Sequence, residues 1–180
     1  GKGDIILGKA LDNRLGCYVL LELAKRMRKP RADTYYVFTV QEEFGLYGAR
    51  TSAFAIEPDW GIAVDTTQAN DVFPEPSRLI GKGPCITVKD GDFVSNPCLV
   101  EWLKATAKKN RIPYQLAATE LGTTDAAIIQ TTRGGVPTAL LSISVRNIHT
   151  TSGIANKKDV EGCIRLLQKL LESPPHKCIV

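Results

Sequence analysis

Strand-length apolar runs alternate along this chain with helix-length stretches that carry one apolar face, and no other feature constrains the fold as strongly. Residues 10–28 place apolar side chains at 11, 15, 19, 20, 23, 24 and 27, the spacing of a buried helix face, and Pro30 stops the run. Residues 34–40 are β-branched and aromatic and read as a strand. A short helix over 48–55 is closed by Pro58, and an apolar strand over 60–64 ends at Asp65. Residues 70–76, with two prolines and two acids, read as a loop, and 79–88 as strand-like chain broken by Gly81, Gly83 and Pro84. Asn96-Pro97 opens a helix running to about Asn110, asparagine as cap and proline in the first turn. A strand at 114–118, a helix at 124–132, a buried strand at 136–144 and a helix at 157–172 complete the pattern, with Pro174-Pro175 as terminator. Strands alternating with helices predict an α/β fold, a three-layer α/β/α sandwich around a mostly parallel mixed sheet. One domain over residues 1–180 is the simplest count, and a 43% hydrophobic, 23% charged composition supports a packed core.

The excess of basic over acidic residues is only four, and the lysines and arginines gather at helix ends, where they complement the helix dipole. With 7% aromatic residues there is no basic stripe interleaved with rings, so nucleic acid is rejected as the main partner. No apolar run reaches the roughly 18 residues of a membrane helix, and no membrane partner is expected. The five cysteines are odd in number and form no Cys-x-x-Cys pair, which points to a reducing, cytoplasmic setting. The chain opens at Gly1 and its only methionine is Met27, so the N-terminus reads as a cut rather than a natural start. His176 falls in a tail expected to pack loosely.

Ligands of open α/β sheets gather beyond the carboxyl ends of the strands. Asp12, Glu42, Glu43, Asp65 and His149 all fall at such places. Taken singly, each has an ordinary reading: a helix cap for Asp12, a solvated pair for Glu42-Glu43, a turn at Asp65, a surface histidine at 149. Together they assemble carboxylates and an imidazole suited to zinc, cobalt or manganese, with no cysteine beside them to make a closed structural site. Adjacent acids at a strand end point different ways, so one can bind metal while the other takes a proton from water. Adjacency argues against a glycosidase, whose carboxyl groups must flank a sugar bond about 5 to 9.5 Å apart. No phosphate-binding loop or nucleophile elbow occurs.

Residues 8–17 (GKALDNRLGC), 40–49 (VQEEFGLYGA), 63–67 (AVDTT), 81–84 (GKGP), 112–115 (IPYQ), 124–126 (TDA) and 148–150 (IHT) occur in the order and spacing of the tetrahedral, or deblocking and glutamyl, aminopeptidases. The chain resembles that family from about residue 8 to 172. The resemblance implies a zinc-exopeptidase-like fold and two divalent ions, with Asp12 bridging them. It implies Glu43 and His149 as further ligands of one ion, Asp65 as a ligand of the other, and Glu42 as the general base. The implied reaction releases N-terminal residues from short peptides, by attack of a metal-bridging water that Glu42 deprotonates. It also implies a dodecamer-like homo-oligomer. The family's N-terminal His-x-Asp segment and inserted β-rich oligomerisation domain have no counterpart here. The chain therefore corresponds to the C-terminal part of the catalytic domain, with one metal site incomplete and assembly weakened or altered. The alternative is a non-catalytic remnant or a one-metal binding subunit.

Overall fold

The computed structural model describes residues 3–72, 77–175 and 178; His176 and residues 73–76 of the expected loop lie outside the described residues. The element order is β1 (Ile5–Gly8), α1 (Leu11–Arg26), α2 (Tyr47–Ile56), β2 (Gly61–Gln68), β3 (Cys85–Lys89), α3 (Pro97–Lys109), β4 (Gln115–Ala118), α4 (Asp125–Ile129), β5 (Thr138–Val145), β6 (Gly153–Asn156) and α5 (Lys157–Glu172). Four strands form one sheet in the order β2-β5-β3-β4, while β1 and β6 pair antiparallel in a separate ribbon. In the main sheet β2 lies parallel to β5 and β3 parallel to β4, and the central β3–β5 pairing is antiparallel. The expected mixed, mostly parallel sheet is present.

All eight residues of β5 are buried, because the sheet is covered on both faces. Side-chain alternation splits them: Leu141, Ile143 and Val145 enter a large core with α1, α3 and α5. Leu140 faces a smaller cluster with Ala63, Phe93 and Ala126. These are the three layers of the sandwich. In α1 the four-residue steps Leu11, Leu15, Val19 and Leu23 form the buried stripe. The Asn96 side chain caps α3, accepting from the amides of Cys98 and Leu99, with Pro97 in the first turn. Asp159, fully buried at the start of α5, accepts from the amides of Gly81 and Gly83 at 2.6 and 2.7 Å and pins that loop to the helix.

Three expectations need correction, and one ordinary reading falls away. Residues 34–39 form no strand: they find no backbone hydrogen-bond partner among the described residues, and a strand exists only by pairing. Asp65 lies inside β2 rather than at its end, because Thr66 and Thr67 continue the pairing opposite Ile143 and Ser144. Asp12 does not cap α1: Ala10 holds the cap position, and Asp12 itself is non-helical at φ −82° and ψ 111°. The reduced-thiol reading does not extend to Cys98 and Cys178, which form a disulfide with Cα atoms 5.6 Å apart. Cys17, Cys85 and Cys163 are free. No helix among the described residues is long and apolar enough to cross a membrane.

Candidate metal centre

Three of the expected ligands come together. Asp12, Glu43 and His149 each offer a donor atom, and these atoms lie within 4.8 Å of one another. His149 Nε2 stands 2.9 Å from Asp12 Oδ2 and 3.7 Å from Glu43 Oε2. The Asp12 side chain is largely buried, whereas those of Glu43 and His149 are exposed. Among the described residues no second group of three such side chains exists. Two hard carboxylates and one imidazole suit a divalent cation.

The loops that carry these groups concentrate backbone strain. Ala10, Gln41, Leu46, Asn147 and His149 all adopt positive φ between 49° and 59°, a region costly for side chains with a Cβ. They flank Asp12, Glu42, Glu43 and His149 on every approach. The surrounding packing must hold these loops in place, which Asn13 does for the first. Its Nδ2 donates to the Val64 carbonyl of β2 and its Oδ1 accepts from the Gly16 amide, both at 2.9 Å. One asparagine thus ties the Asp12 loop, the body of α1 and the strand entering Asp65. The Asp12–Asn13 peptide is cis.

Asp65 and Glu42 lie beside the three-donor group without joining it. Asp65 is buried, and its Oδ1 accepts from the Thr66 amide at 2.7 Å. Burial and then the charge of Asp12 push its carboxyl well above the ordinary range, against that one hydrogen bond. Glu42 is half-buried, and desolvation followed by the charges of Asp125, Glu43 and Asp12 raises it to about 7. A bound cation would oppose the repulsion felt by both.

Asp125 and Thr39 are members of the site that the sequence reading left without a role. Thr39 Oγ1 donates to Asp125 Oδ2 at 2.7 Å, while Asp125 Oδ1 is buried without a partner among the described residues. They stand 86 positions apart, and nothing local in the sequence announces the contact. Two cavities meet at the site. One of about 880 Å³ reaches Asp12, Glu42, Glu43, Asp65 and Asp125. Another of about 380 Å³ is lined by Lys9, Asn147, Ile148 and His149. Asp12 and Glu43 line both.

Fold and site together define a class: an α/β protein that brings two carboxylates and an imidazole close enough to share a cation, beside a half-buried carboxyl raised by its neighbours. The chain belongs to the M42 glutamyl aminopeptidase family, whose profile matches residues 1–166. It is 43% identical over 169 residues to a putative aminopeptidase of Acetivibrio thermocellus, covering 92% of this chain and 51% of that protein. Aminopeptidase APDkam598 of Desulfurococcus kamchatkensis superimposes with a TM-score of 0.95 at 36% identity, over 99% of this chain and 52% of that one. The TET1 peptidase of Pyrococcus horikoshii, which assembles into a tetrahedron or a large octahedral shell, gives 0.79 at 27% identity, over 94% and 51%. The chain spans about half the length of the relatives it matches. Members of the family are metal-dependent hydrolases acting on peptides.

Proposed function

We propose that this chain carries the principal catalytic residues of a metal-dependent aminopeptidase that releases N-terminal residues from short peptides. The observation that supports it is the three-donor group Asp12, Glu43 and His149 with Glu42 adjacent, at the meeting of two cavities. In this reading Asp12, Glu43 and His149 hold one divalent ion, zinc first among zinc, cobalt and manganese. Asp12 and Asp65 supply ligands to a second, whose set is incomplete in this chain. When bound, such ions supply positive charge that polarises the scissile carbonyl and lowers the pKa of water.

The chain's own groups do the remaining work. Glu42 accepts the proton of the attacking water and returns it to the leaving amine; without metal, burial and neighbouring carboxylates raise its carboxyl to about 7, and a cation beside it would lower that. Asp65 lies buried beside Asp12, where burial and that neighbour's charge favour its protonated form unless a cation is bound. Asn13 keeps the Asp12 loop in register with β2. In this reading residues 1–180 are the C-terminal part of the catalytic domain, and the cytoplasmic setting rests on the free thiols of Cys17, Cys85 and Cys163, with the Cys98–Cys178 disulfide standing against it. Assembly into a homo-oligomer, as the Pyrococcus horikoshii relative assembles, is part of the same proposal.

The test is hydrolysis of a panel of aminoacyl p-nitroanilides with added zinc. Chelator should abolish turnover, and Glu42→Gln should lower kcat by roughly 100- to 10,000-fold. Turnover unchanged in Glu42→Gln overturns the assignment. A one-metal binding subunit is favoured by the presence of a single three-donor group among the described residues. That reading is selected if zinc binds and no anilide is cleaved.

A further inference from the structure

The two cavities that meet at the candidate metal centre differ in charge. Among the described residues the larger is lined by eight acidic side chains, Glu42, Asp65 and Asp125 among them, against a single cation, Arg14. The smaller has no acids beyond Asp12 and Glu43, the two donors that it shares with the larger. Its neutral polar groups are engaged within their own loop. Thr150 Oγ1 donates to the Asn147 carbonyl at 2.7 Å and accepts from the Ser152 amide at 3.2 Å, and Asn147 Nδ2 donates to the Ser152 carbonyl at 3.3 Å. Lys9 is left as the smaller cavity's only fixed positive charge among the described residues. It is exposed, and no ion pair or hydrogen bond among those residues occupies its ammonium.

A peptide cleaved at the metal centre must lie across it, with its amino end on one side of Asp12 and Glu43 and its leaving residues on the other. The amino end is positive in solution and is drawn toward the acidic side. The leaving residues then cross the smaller cavity. A residue of extended chain takes up about 160 Å³, the product of its rise, the strand spacing and the spacing between layers. A cavity of about 380 Å³ therefore holds about two of them. A tripeptide fills it and brings its terminal carboxylate to the space that Lys9 lines.

We infer that the smaller cavity seats the leaving residues of the substrate and that Lys9 receives the free α-carboxylate of short peptides, about two residues beyond the scissile bond. This role rests on the proposed aminopeptidase activity and names its substrates: tripeptides with a free carboxyl end, ahead of their amides. An amide brings no charge to Lys9, and a longer chain carries its carboxylate past the cavity. Because Lys9 is exposed, the attraction has the strength of a surface ion pair, about two- to fivefold in affinity, and weakens in salt.

The test is calorimetric binding to the zinc-loaded 180-residue chain carrying Glu42→Gln, which keeps the peptides intact. The probes are Ala-Gly-Gly and its C-terminal amide, and alanine followed by five glycines with its amide. The free tripeptide should bind about two- to fivefold more tightly than its amide, and the two hexapeptides should bind alike. Adding Lys9→Met should bring the tripeptide ratio to one, and Lys9→Glu should invert it. Reading a ratio within each variant cancels any general loss of zinc or stability. Four results overturn the assignment: equal binding of the tripeptide and its amide, the same preference in Lys9→Met, an equal preference among the hexapeptides, or no binding of any probe. The second would mean that the carboxylate sits on zinc itself, the third that it feels only the protein's overall field. Aminoacyl anilides have no carboxylate, so their cleavage by the parent chain reports on the activity separately. Anilides cleaved with no acid–amide difference remove the role of Lys9 alone, whereas uncleaved anilides with a Lys9-dependent difference remove the activity and leave the carboxylate site.

Discussion

Gly16 is where the fold and the candidate site are joined most tightly, and Gly16→Ala isolates that junction. By helix propensity alone the change should stabilise α1 by up to about 1 kcal/mol. The structure predicts the opposite sign. A Cβ at residue 16 would sit 2.3 Å from Asn13 Oδ1 and 2.7 Å from the Val64 carbonyl oxygen. The second contact is backbone of β2 and cannot rotate away. Asn13 would have to move, giving up its two hydrogen bonds at about 1 kcal/mol each, and forced repacking adds about 1 to 3 kcal/mol. After the propensity gain the net loss is about 3 kcal/mol, or roughly 9 °C in Tm for a domain of this size. Because Asn13 holds the loop of Asp12 and the strand entering Asp65, zinc affinity should fall with stability. Urea denaturation and calorimetric zinc titration of the two proteins measure both. A variant more stable than the parent, with unchanged zinc affinity, would refute the reasoning.

Glu42 predicts a pH dependence. Its folded pKa of about 7 lies above the ordinary 4.5, so the folded state favours the proton, and its contribution to stability is lost as pH rises from about 4.5 through about 7. Zinc beside it should reverse part of that loss, so added zinc should raise Tm more at pH 8 than at pH 5; an equal rise at both pH values would contradict the assignment. In the zinc-loaded chain the acid limb of kcat/KM should lie below 7, and a limb above 7 would remove Glu42 as base. Cys98→Ser opens a disulfide spanning 80 residues and should cost about 2 to 4 kcal/mol in urea. An unchanged midpoint under oxidising conditions would show that the pair does not form.

Elements set by local chemistry were legible from sequence. The cap and first turn of α3 are written in Asn96-Pro97, and α5 follows its apolar stripe from Lys157 to Glu172. Elements set by pairing were not. Residues 34–39 have strand composition and no backbone partner among the described residues, whereas β1 and β6, four residues each, form by pairing with one another. Asp65 was placed at a strand end because Thr66-Thr67 suits a turn as well as a strand, and only β5 decides between them. The donors Asp12, Glu43 and His149 were legible from their residue types and their motifs in the order of the family, and their donor atoms do come within 4.8 Å of one another, although Glu43 follows extended chain rather than a strand. Asn13, Thr39 and Asp125 act through single long-range hydrogen bonds, which leave no periodicity and no spacing to read. The Cys98–Cys178 bridge is nonlocal in the same way.

The most direct test of the metal centre is calorimetric titration of the purified chain with zinc, beside Asp12→Ala. The geometry predicts one tight equivalent per chain, weakened at least about tenfold by loss of one of its three donors. Equal binding by parent and variant, or no binding by the parent, would contradict it.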